Sequence, residues 1–499
     1  MILASLWPKV AFKFNSETNM ARIAFLQNLW FEWLGIMYLS AVLKKEGHEV
    51  ELFIGDKDKI LEDLTVFKPD VIGVSLMGIQ NEWLRGVAKH LRGNGFKQPI
   101  IVGGPEASYA PDEIIEMEGI TAICVGEGED VMKDFVDAVM QKNSFDGIAN
   151  LWVRKETEGS SKIIKNEVRK LENDLDLIPN PDRDLYRKEA FFSQEKPYEL
   201  FEASRGCPFD CSFCFIHQFR DMYRRKGKGL RLRSPQLVVD DIKDTHQKYG
   251  IKQVMFVDST FNLNKKWLME FCELFAEQTD LVMTVNIRAD NMDDEIMQAL
   301  AKARCNPARF AIETGSEEMR NGILEKQLTD KQIQNTARLF KKYNVPFVTY
   351  NMMGMPNETL DMAWTTIKMN QDLNPSVVNM DLFMPYPNLN LTKFALNEGI
   401  LSESALKGLS MGGSKMLRSV LKQKEIKEVS NLQKFALALI RFPKLESIVK
   451  KLIKLPENFI FDGIWGLTLV WEYSNWTHTS KTRMVTDVLK NFRQLILKN

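Results

Sequence analysis

Three cysteines within eight residues constrain this chain more than any other feature of its sequence. They lie in RGCPFDCSFCF as Cys207, Cys211 and Cys214, with the spacing CxxxCxxC. Thiolates are the usual protein ligands of iron-sulfur clusters, and a short loop can present three of them to one cubane, which leaves the fourth iron open. The alternatives are a structural zinc site and three unrelated core cysteines. Zinc normally takes four protein ligands, and no second CxxC or His/Cys pair completes such a site nearby. The spacing therefore favours a 4Fe-4S cluster.

Residues 196–400 alternate between strand-like and helical patterns, and the cysteines follow the first strand. Runs of apolar, β-branched and aromatic residues predict six strands, with helical stretches between most of them. This succession predicts a partial (β/α)6 barrel of TIM type, whose chemistry lies at the C-terminal ends of the strands. The predicted strands are YELFEASRG, QVMFVDSTF, LVMTVNIRAD, ARFAIETGSE, PFVTYNMMGMP and VVNMDLFMPYP.

The cysteine spacing at a strand end resembles that of the radical S-adenosylmethionine (SAM) superfamily. In that superfamily the open iron binds the amino and carboxylate groups of SAM, and one-electron reduction cleaves SAM to a 5'-deoxyadenosyl radical. The resemblance covers about residues 196–390 and implies a 4Fe-4S cluster and a SAM site. The residues that resemble the SAM contacts of the family are Phe213, Asp258, Arg288, Glu313 and Gly354.

The resemblance gives four of these residues specific roles. Asp258 is expected near the SAM amino group, and Glu313 at the ribose hydroxyls. Arg288 is expected at the SAM carboxylate or nearby oxygens, and Gly354 in a backbone turn near the adenine. A carboxylate at a strand end is about as often a helix N-cap or a surface residue, so these roles depend on the cysteine loop. The remaining cysteines, Cys124, Cys272 and Cys305, sit in strand, helix and turn patterns and are expected to be buried packing residues.

Residues 1–145 carry a separate alternation of strands and helices. DVIGVSLMG is nearly all apolar, as strands of a parallel sheet buried on both faces are. PIIVGGPEAS and TAICVGEGED are predicted as two further strands, each of which ends in a glycine-bearing turn. This part therefore predicts a doubly wound α/β domain of Rossmann or flavodoxin type. Residues 146–195 are polar and rich in Asp, Asn and Pro, which predicts a linker. Residues 401–499 are expected to form a helical, basic C-terminal segment.

The glycine-bearing strand ends of the first domain resemble the cobalamin-binding domain that precedes many radical SAM enzymes. Small residues there let the backbone approach a large flat ligand. The alternative is another flavodoxin-like domain, which binds a nucleotide or nothing. The sequence lacks the Asp-x-His-x-x-Gly motif that supplies an imidazole to cobalt in other cobalamin proteins, so no histidine of this domain is expected on the metal. The residues assigned to cobalamin by this resemblance are Ser75, Leu76, Met77, Gly103, Gly104, Pro105, Gly126, Glu127 and Gly128.

Together the two resemblances imply a cobalamin-dependent radical SAM enzyme that looks like a class B methyltransferase. Such an enzyme transfers a methyl group from SAM, via methylcobalamin, to an unactivated carbon by a radical mechanism. No catalytic residue is assigned beyond the cluster ligands, and the substrate is left open. A cyclase or rearrangement enzyme without methyl transfer is the first alternative, because the same pair of domains supports both. A non-enzymatic cobalamin sensor is less expected, since a sensor needs no open iron.

The composition and the cysteine pattern indicate which partners and which cellular compartment to expect. Basic and acidic side chains balance at 66 each, which argues against binding to nucleic acid. The radical chemistry implies an electron donor such as flavodoxin or ferredoxin. The cysteine pattern is unlike a secreted disulfide framework, and the sequence predicts neither a signal peptide nor a membrane span, which favours the cytoplasm.

The C-terminal segment is the strongly charged part of the chain. Residues 405–499 hold 17 Lys and Arg against 7 Asp and Glu, with apolar positions at helical spacing opposite a lysine-rich face. Such a face usually contacts solvent. A basic amphipathic helix can alternatively rest on an anionic membrane, and Trp465, Trp471 and Trp476 fit either a core or an interfacial helix. Peripheral membrane contact is therefore a second interpretation of this segment.

Overall fold

The computed structural model describes residues 20–77, 80–157, 160–189, 192, 198–410 and 418–476. A doubly wound sheet, a partial barrel and a group of helices follow one another along these residues, as the sequence predicts. Some expectations fall outside the described residues. They concern residues 1–19 and 78–79 of the first domain, residues 158–159, 190–191 and 193–195 of the linker, residues 196–197 at the start of the barrel, residues 411–417 and 477–499 of the C-terminal segment, and the side chain of Trp476.

The first sheet is built from seven strands. They are β1 (Arg22–Gln27), β2 (Glu49–Ile54), β3 (Val71–Ser75), β4 (Ile100–Gly103), β5 (Ala122–Cys124), β6 (Leu151–Thr157) and β7 (Ser160–Lys165). The spatial order is β2-β1-β3-β4-β5-β6-β7; β1 to β5 are parallel, and β6 and β7 are antiparallel to their neighbours. The parallel strands bury apolar side chains on both faces, which is why their sequences read as apolar runs.

Helices cover both faces of this sheet. Those on one face pack into a core with Phe25, and those on the other into a core with Leu26. Local signals start several of them: Asp56 caps one helix by accepting a hydrogen bond from the N of Lys59 at 3.1 Å. The helices are α1 (Leu34–Lys45), α2 (Lys57–Phe67), α3 (Asn81–Gly93), α4 (Pro105–Tyr109), α5 (Pro111–Ile115) and α6 (Glu129–Met140).

The structure differs from the expected linker over its first part. The hairpin of β6 and β7 extends the sheet of the first domain. Leu151 and Val153 bury their side chains in the core on one face, and Trp152 packs against the core on the other face. The polar composition of this stretch belongs to the outer half of the hairpin, where the side chains are exposed. A short helix, α7 (Asp184–Arg187), precedes the second domain.

The second domain is the predicted partial barrel. Its six parallel strands are β8 (Tyr198–Phe201), β11 (Gln253–Phe256), β12 (Val282–Ile287), β13 (Cys305–Glu313), β14 (Phe347–Met353) and β15 (Val377–Leu382). They are neighbours in sequence order, with β8 and β15 at the edges. A small hairpin of β9 (Ser204–Arg205) and β10 (Arg231–Leu232) follows the first strand. The six strands match the six that the sequence predicts.

Helices cover the outside of the barrel. They are α8 (Ile216–Met222), α9 (Pro235–Tyr249), α10 (Lys265–Gln278), α11 (Asp294–Lys302), α12 (Glu317–Gly322), α13 (Asp330–Lys342) and α14 (Leu360–Leu373). Cys272 and Cys305 lie in the core between these helices and the strands, and Cys124 lies in the core of the first domain. All three are buried packing residues, as expected, although Cys305 begins β13 where the sequence predicts a turn.

The C-terminal segment is helical, as predicted. The helix α15 (Asn390–Asn397) precedes it. The helices of the segment are α16 (Glu403–Ser410), α17 (Ile426–Arg441), α18 (Glu446–Leu452) and α19 (Phe459–Trp476). The apolar side of α17 packs on α14, α19 and β15. None of the helices in the described residues combines the length and the hydropathy that a membrane span requires.

Candidate functional site

The three cysteines of the CxxxCxxC motif lie in the loop between β9 and α8. Cys211 is buried, and Cys207 and Cys214 are half-buried. Ser212 anchors the loop: its N donates to the O of Leu324 at 3.0 Å, and its Oγ donates to the O of Ile323 at 2.7 Å. Phe213 packs against the same apolar cluster as Leu324, so the loop is fixed on the barrel.

The thiols of this loop influence one another. Burial raises the pKa of Cys211, and Lys326 and Arg288 counteract that rise. Burial also raises the pKa of Cys214 to about 11, with a further contribution from the other two thiols. Among the described residues, no three His, Cys, Asp or Glu side chains converge as a single metal ion requires. A cubane binds each thiolate to a different iron, so this donor set fits a cluster better than one zinc ion.

Arg288 lies beside the cysteine loop. Its Nη1 is 3.8 Å from the Sγ of Cys211, and its guanidinium lies 3.5 Å from the centroid of the Phe209 ring. Two of its nitrogens donate to the carboxylate of Asp290 at 2.9 Å, and Nη2 also donates to the O of Lys326 at 2.7 Å. These bonds hold a cation next to the thiols, where it can meet an anionic group of a ligand.

Glu313 is paired with a lysine that the sequence did not single out. It ends β13 in the left-handed region at a φ of 69°, and its Oε1 accepts a hydrogen bond from the Nζ of Lys326 at 2.7 Å. Both side chains are buried. Lys326 lies in the loop after α12 and belongs to no motif, so only the tertiary structure brings it to this carboxylate.

The carboxylate of Asp258 is occupied by neighbouring donors. It accepts hydrogen bonds from the N of Ala203 at 3.1 Å and from the Oγ of Ser204 at 2.5 Å. Burial raises the pKa of Asp258 to about 7. These bonds tie the end of β11 to the chain that leads into the cysteine loop. Contact of Asp258 with the SAM amino group stays a prediction.

Gly354 follows β14 in a turn with a φ of 74°. The buried carboxyl of Glu358 accepts hydrogen bonds from the N of Gly354 and, at 3.1 Å, from the N of Met355. Burial raises the pKa of Glu358 to about 8. The sequence analysis identified Gly354 but missed Glu358, although the two residues lie only four positions apart in GMPNET.

A cavity of about 340 Å³ lies at the C-terminal ends of β1, β3, β4 and β5. In open α/β sheets, ligands bind at this edge, where the strand order reverses. Seven of the nine residues assigned to cobalamin line it. They are Ser75, Gly103, Gly104, Pro105, Gly126, Glu127 and Gly128.

The cavity walls fit part of a large cofactor. A cavity of several hundred Å³ takes a ring-sized group, so this one suits one portion of a cobalamin rather than the whole molecule. Glycine lets two of the strand ends that form the walls pack closely: Gly104 has a φ of 91°, and a Cβ there would lie 2.8 Å from the N of Leu76 and from the Oγ of Ser75.

The two remaining cobalamin assignments lie elsewhere. The side chain of Leu76 is fully buried in the core beside α3, so the predicted contact of this side chain with cobalamin is wrong. Only its backbone borders the strand end, where its N donates to the O of Gly103 at 2.9 Å. Met77 is 47% exposed and does not line the cavity, and its contact with cobalamin stays a prediction.

Glu127 joins the two domains as well as lining the cavity. Its Oε2 accepts a hydrogen bond from the Nη1 of Arg231 at 3.0 Å, and its Oε1 lies 3.7 Å from the Nη1 of Arg205. Its N donates to the hydroxyl of Tyr223 at 2.9 Å, and the Nδ2 of Asn150 donates to the same hydroxyl at 2.8 Å. The sequence gave no signal for these partners, because most of them lie far along the chain.

Aromatic residues of the barrel close the other side of the cavity. Phe215 and Phe219 line it, and Phe215 follows Cys214 directly in the chain. The ring of Phe215 lies 5.3 Å from that of Tyr109, on α4 of the first domain. The cavity and the cysteine loop therefore share a wall.

Comparisons with known families agree with this arrangement. The model of the radical SAM superfamily matches residues 201–369, and that of the B12 binding domain matches residues 29–136. The chain belongs to the cobalamin-dependent radical SAM family. This radical SAM enzyme therefore uses a 4Fe-4S cluster, SAM and cobalamin, as the sequence predicts.

Several curated proteins resemble this radical SAM enzyme over most of its length. The uncharacterized methyltransferase PH0819 of Pyrococcus horikoshii is 28% identical, over 74% of this chain and 79% of its own. The anaerobic magnesium-protoporphyrin IX monomethyl ester cyclase of Rubrivivax gelatinosus is 26% identical, over 70% of this chain and 64% of its own. The cyclase is thus matched over somewhat less than two thirds of its length.

Solved structures share the fold of this radical SAM enzyme. The cobalamin-dependent radical enzyme OxsB superposes with a TM-score of 0.65 and 16% identity, over 95% of this chain and 75% of its own. The methyltransferase TsrM of Kitasatospora setae superposes with a TM-score of 0.63 and 18% identity, over 76% and 75%. At this identity the likeness is one of fold.

Proposed function

We propose that this enzyme transfers a methyl group from SAM to an unactivated carbon of its substrate, with cobalamin as a second cofactor. One observation carries the proposal: Phe215 lines the candidate cobalamin cavity and directly follows Cys214 of the cysteine loop. A substrate held beside this wall would lie between the two cofactors, and reactions between held partners depend on such proximity.

When bound, the cluster supplies the electron that cleaves SAM, and cobalamin supplies a carrier for a methyl group. The chain itself provides placement and exclusion of water. Cys207, Cys211 and Cys214 would hold the cluster. The glycine-lined cavity would hold part of the cobalamin, and Phe215 and Phe219 would shield the space between them.

The proposed SAM site lies around the cysteine loop. The fixed guanidinium of Arg288 suits an anionic group such as a carboxylate, and it is 3.8 Å from Cys211. Glu313 suits hydroxyl donors, and its pairing with Lys326 holds it in place. Phe213, Asp258 and Gly354 complete the proposed set.

The names of similar proteins support methyl transfer and also a second candidate. A cytidylyl-2-hydroxyethylphosphonate methyltransferase of Streptomyces wedmorensis is 24% identical over 65% of this chain, and a hopanoid C-3 methylase of Methylococcus capsulatus is 25% identical over 50%. The similarity to the Rubrivivax cyclase favours ring formation without methyl transfer as the second candidate.

An isotope experiment separates the two candidates. Enzyme reconstituted anaerobically with iron, sulfide and cobalamin is incubated with methyl-labelled SAM, a reductant and a small-molecule extract of the source cells. Methyl transfer predicts labelled products in the extract by mass spectrometry, and their loss in Cys211→Ala. Substrate-dependent 5'-deoxyadenosine with no label in any product would exclude methyl transfer and leave the cyclase.

The proposed partners follow from the same chemistry. We infer a one-electron donor such as flavodoxin or ferredoxin, because the cluster must be reduced in each turnover that consumes its electron. A reducing compartment, the cytoplasm, suits such donors and the exposed parts of the cluster loop. Reduction of the reconstituted cluster by purified flavodoxin, followed by its visible absorbance, tests the donor class; no bleaching with either flavodoxin or ferredoxin would contradict it.

Membrane contact is proposed for the surface formed by α18 and α19. Phe459 is 82% exposed and Leu467 is 74% exposed, and a membrane interface favours apolar side chains beside lysines. Sedimentation with phosphatidylglycerol vesicles tests this: Phe459→Ser with Leu467→Ser should weaken binding, whereas Phe31→Ser on the first domain should not. Equal binding by all three proteins would refute it. The exposed lysines nearby are Lys444, Lys450, Lys451 and Lys454.

A further inference from the structure

Asp381 stands at the mouth of the barrel, on the side where the cofactors are expected. It lies near the C-terminal end of β15, and its neighbours Val378 and Met380 pack outward against the C-terminal helices. Because side chains alternate along a strand, Asp381 faces the inside of the barrel. Its partner in β14 is Met352, which packs in the apolar cluster that holds Phe213 of the cysteine loop.

The carboxylate of Asp381 is accessible at the mouth of the barrel. The side chain is exposed, and desolvation by the neighbouring protein raises the pKa of its carboxyl to about 6. No described residue donates a hydrogen bond to this carboxylate or forms an ion pair with it. Lys434 is a nearby cation, but its Nζ lies 3.9 Å from Asp462 and 4.9 Å from the centroid of the Trp465 ring. The barrel mouth thus presents an acceptor without a bound donor among the described residues.

A row of aromatic rings joins this carboxylate to the cobalamin cavity. We call Phe215, Tyr109 and Tyr386 the aromatic wall. The Phe215 and Tyr109 rings are 5.3 Å apart, and the Tyr109 and Tyr386 rings are 6.2 Å apart. Tyr386 is 38% exposed. Tyr386 lies four residues after the end of β15, the strand that carries Asp381. Burial raises the pKa of Tyr386, and the charges of Glu106 and Asp381 add to this rise.

We propose that Asp381 recognises a protonated amine of the substrate, whose apolar part lies along the aromatic wall. The substrate class is therefore a cationic nitrogen compound with an aromatic or aliphatic body. An ionised carboxylate is an acceptor only, and it binds a charged donor more strongly than a neutral one. Aromatic faces also favour a cation and its apolar neighbours. The inference rests on the proposed function for the location of the substrate, but it does not depend on the reaction type.

Paired probes test the charge preference without turnover. Benzylamine and the neutral benzyl alcohol are titrated, by saturation-transfer NMR, into anaerobic enzyme reconstituted with cluster, cobalamin and SAM. Benzylamine should bind about tenfold more tightly. Asp381→Asn should make the two affinities equal, and Asp381→Glu should restore part of the difference. The matched control is Asp372→Asn, an exposed aspartate near the end of α14, which should keep the full preference.

The pH dependence of the preference for benzylamine is a second test of the proposal. The preference should fall between pH 7.5 and pH 5, as the Asp381 carboxylate takes up a proton while benzylamine stays charged. The titratable groups that interact with it are Lys434 on α17 and Tyr386 after β15. Glu106 on α4, whose pKa burial raises to about 7, interacts with Tyr386 as well. If the pH-dependent preference for benzylamine is still present in Asp381→Asn, a group other than Asp381 causes it.

Two results would overturn the proposal. One is equal affinity of the two probes for the unmodified enzyme, and the other is an unchanged preference in Asp381→Asn with normal iron and corrin content. Failure of the labelled-SAM experiment would leave the probe result intact, because no methyl transfer is needed to observe binding. The two proposals can thus fail separately.

Discussion

The Nζ of Lys326 lies 2.7 Å from the Oε1 of Glu313, and both side chains are buried beside the cysteine loop. Removing one partner of a buried ion pair leaves the other charge uncompensated, which typically costs about 3–5 kcal/mol. We therefore expect Lys326→Met to lower the free energy of unfolding by about this amount, as measured by urea denaturation.

A double variant tests the interaction between Lys326 and Glu313, and a variant of an exposed lysine serves as the control. The double variant Lys326→Met with Glu313→Gln removes both charges and should recover much of the loss. Lys331→Met, at an exposed lysine of α13, should change the unfolding free energy by less than about 0.5 kcal/mol. If the double variant is as unstable as the sum of the single variants, the two side chains do not interact as described.

Gly126 lies where the first domain meets the barrel. Its φ is 95°, and a Cβ would lie 2.0 Å from the hydroxyl of Tyr223. Gly126→Ala should displace this hydroxyl from its bonds to Glu127 and Asn150 and open the cavity wall, in addition to a backbone cost of about 1–2 kcal/mol. We expect less cobalamin to stay bound after gel filtration, as measured by corrin absorbance.

A second glycine serves as the control for this effect. Gly147 is exposed, has no positive φ, and a Cβ there would meet nothing within 4 Å. Gly147→Ala should retain cobalamin as the unmodified protein does. Equal corrin content in Gly126→Ala and Gly147→Ala would mean that the contact with Tyr223 does not affect cobalamin retention.

Much of the fold could be predicted because its signals are local. The apolar runs of β3 and β4 and the six strands of the barrel appear in the sequence as continuous patterns. The hairpin of β6 and β7 was misjudged as part of a linker. Its outer half is polar and exposed, and only the pairing with β5 shows that its inner half, with Leu151 and Val153, is buried.

The site was predictable where motifs lie next to one another, and not where distant segments meet. The cysteines and the glycine turns were found from spacing. Lys326 and Arg231 were missed, because each acts through a partner that only folding brings near. Leu76 was misplaced since a strand-end residue can point into the core as readily as toward the ligand. The proposed role of Asp381 could not be predicted from the sequence. It depends on the side-chain alternation along β15 and on the aromatic wall, which includes Tyr386.

Cluster binding should depend on the cysteine loop and not on the buried cysteines elsewhere. Cys211→Ala removes one of three thiolates, so we expect the anaerobically reconstituted variant to lose most of its iron and its visible absorbance near 400 nm. Cys272→Ala, in the barrel core, should keep both at the cost of some stability. An intact cluster in Cys211→Ala would contradict the ligand assignment.

Glu358 should make the stability of this enzyme depend on pH. Burial raises its pKa from 4.5 to about 8, so the folded state keeps a proton that the unfolded chain releases. The free energy of unfolding should therefore fall as the pH rises from about 4.5 to 8, by up to roughly 1.4 kcal/mol per pH unit. Above pH 8 this contribution should be constant.

Glu358→Gln keeps a neutral side chain at every pH and should lack this component. Its amide oxygen can accept the hydrogen bonds of the Gly354 and Met355 nitrogens, which both go to one oxygen of the glutamate. Asp258 and Glu106, whose pKa values burial also raises, titrate in both proteins and cancel in the difference. Urea denaturation from pH 5 to 8.5 should thus show the variant gaining stability relative to the unmodified enzyme, whereas Glu398→Gln, at an exposed position, should show no such trend. A difference that does not change with pH would mean that Glu358 is ionised in the folded protein.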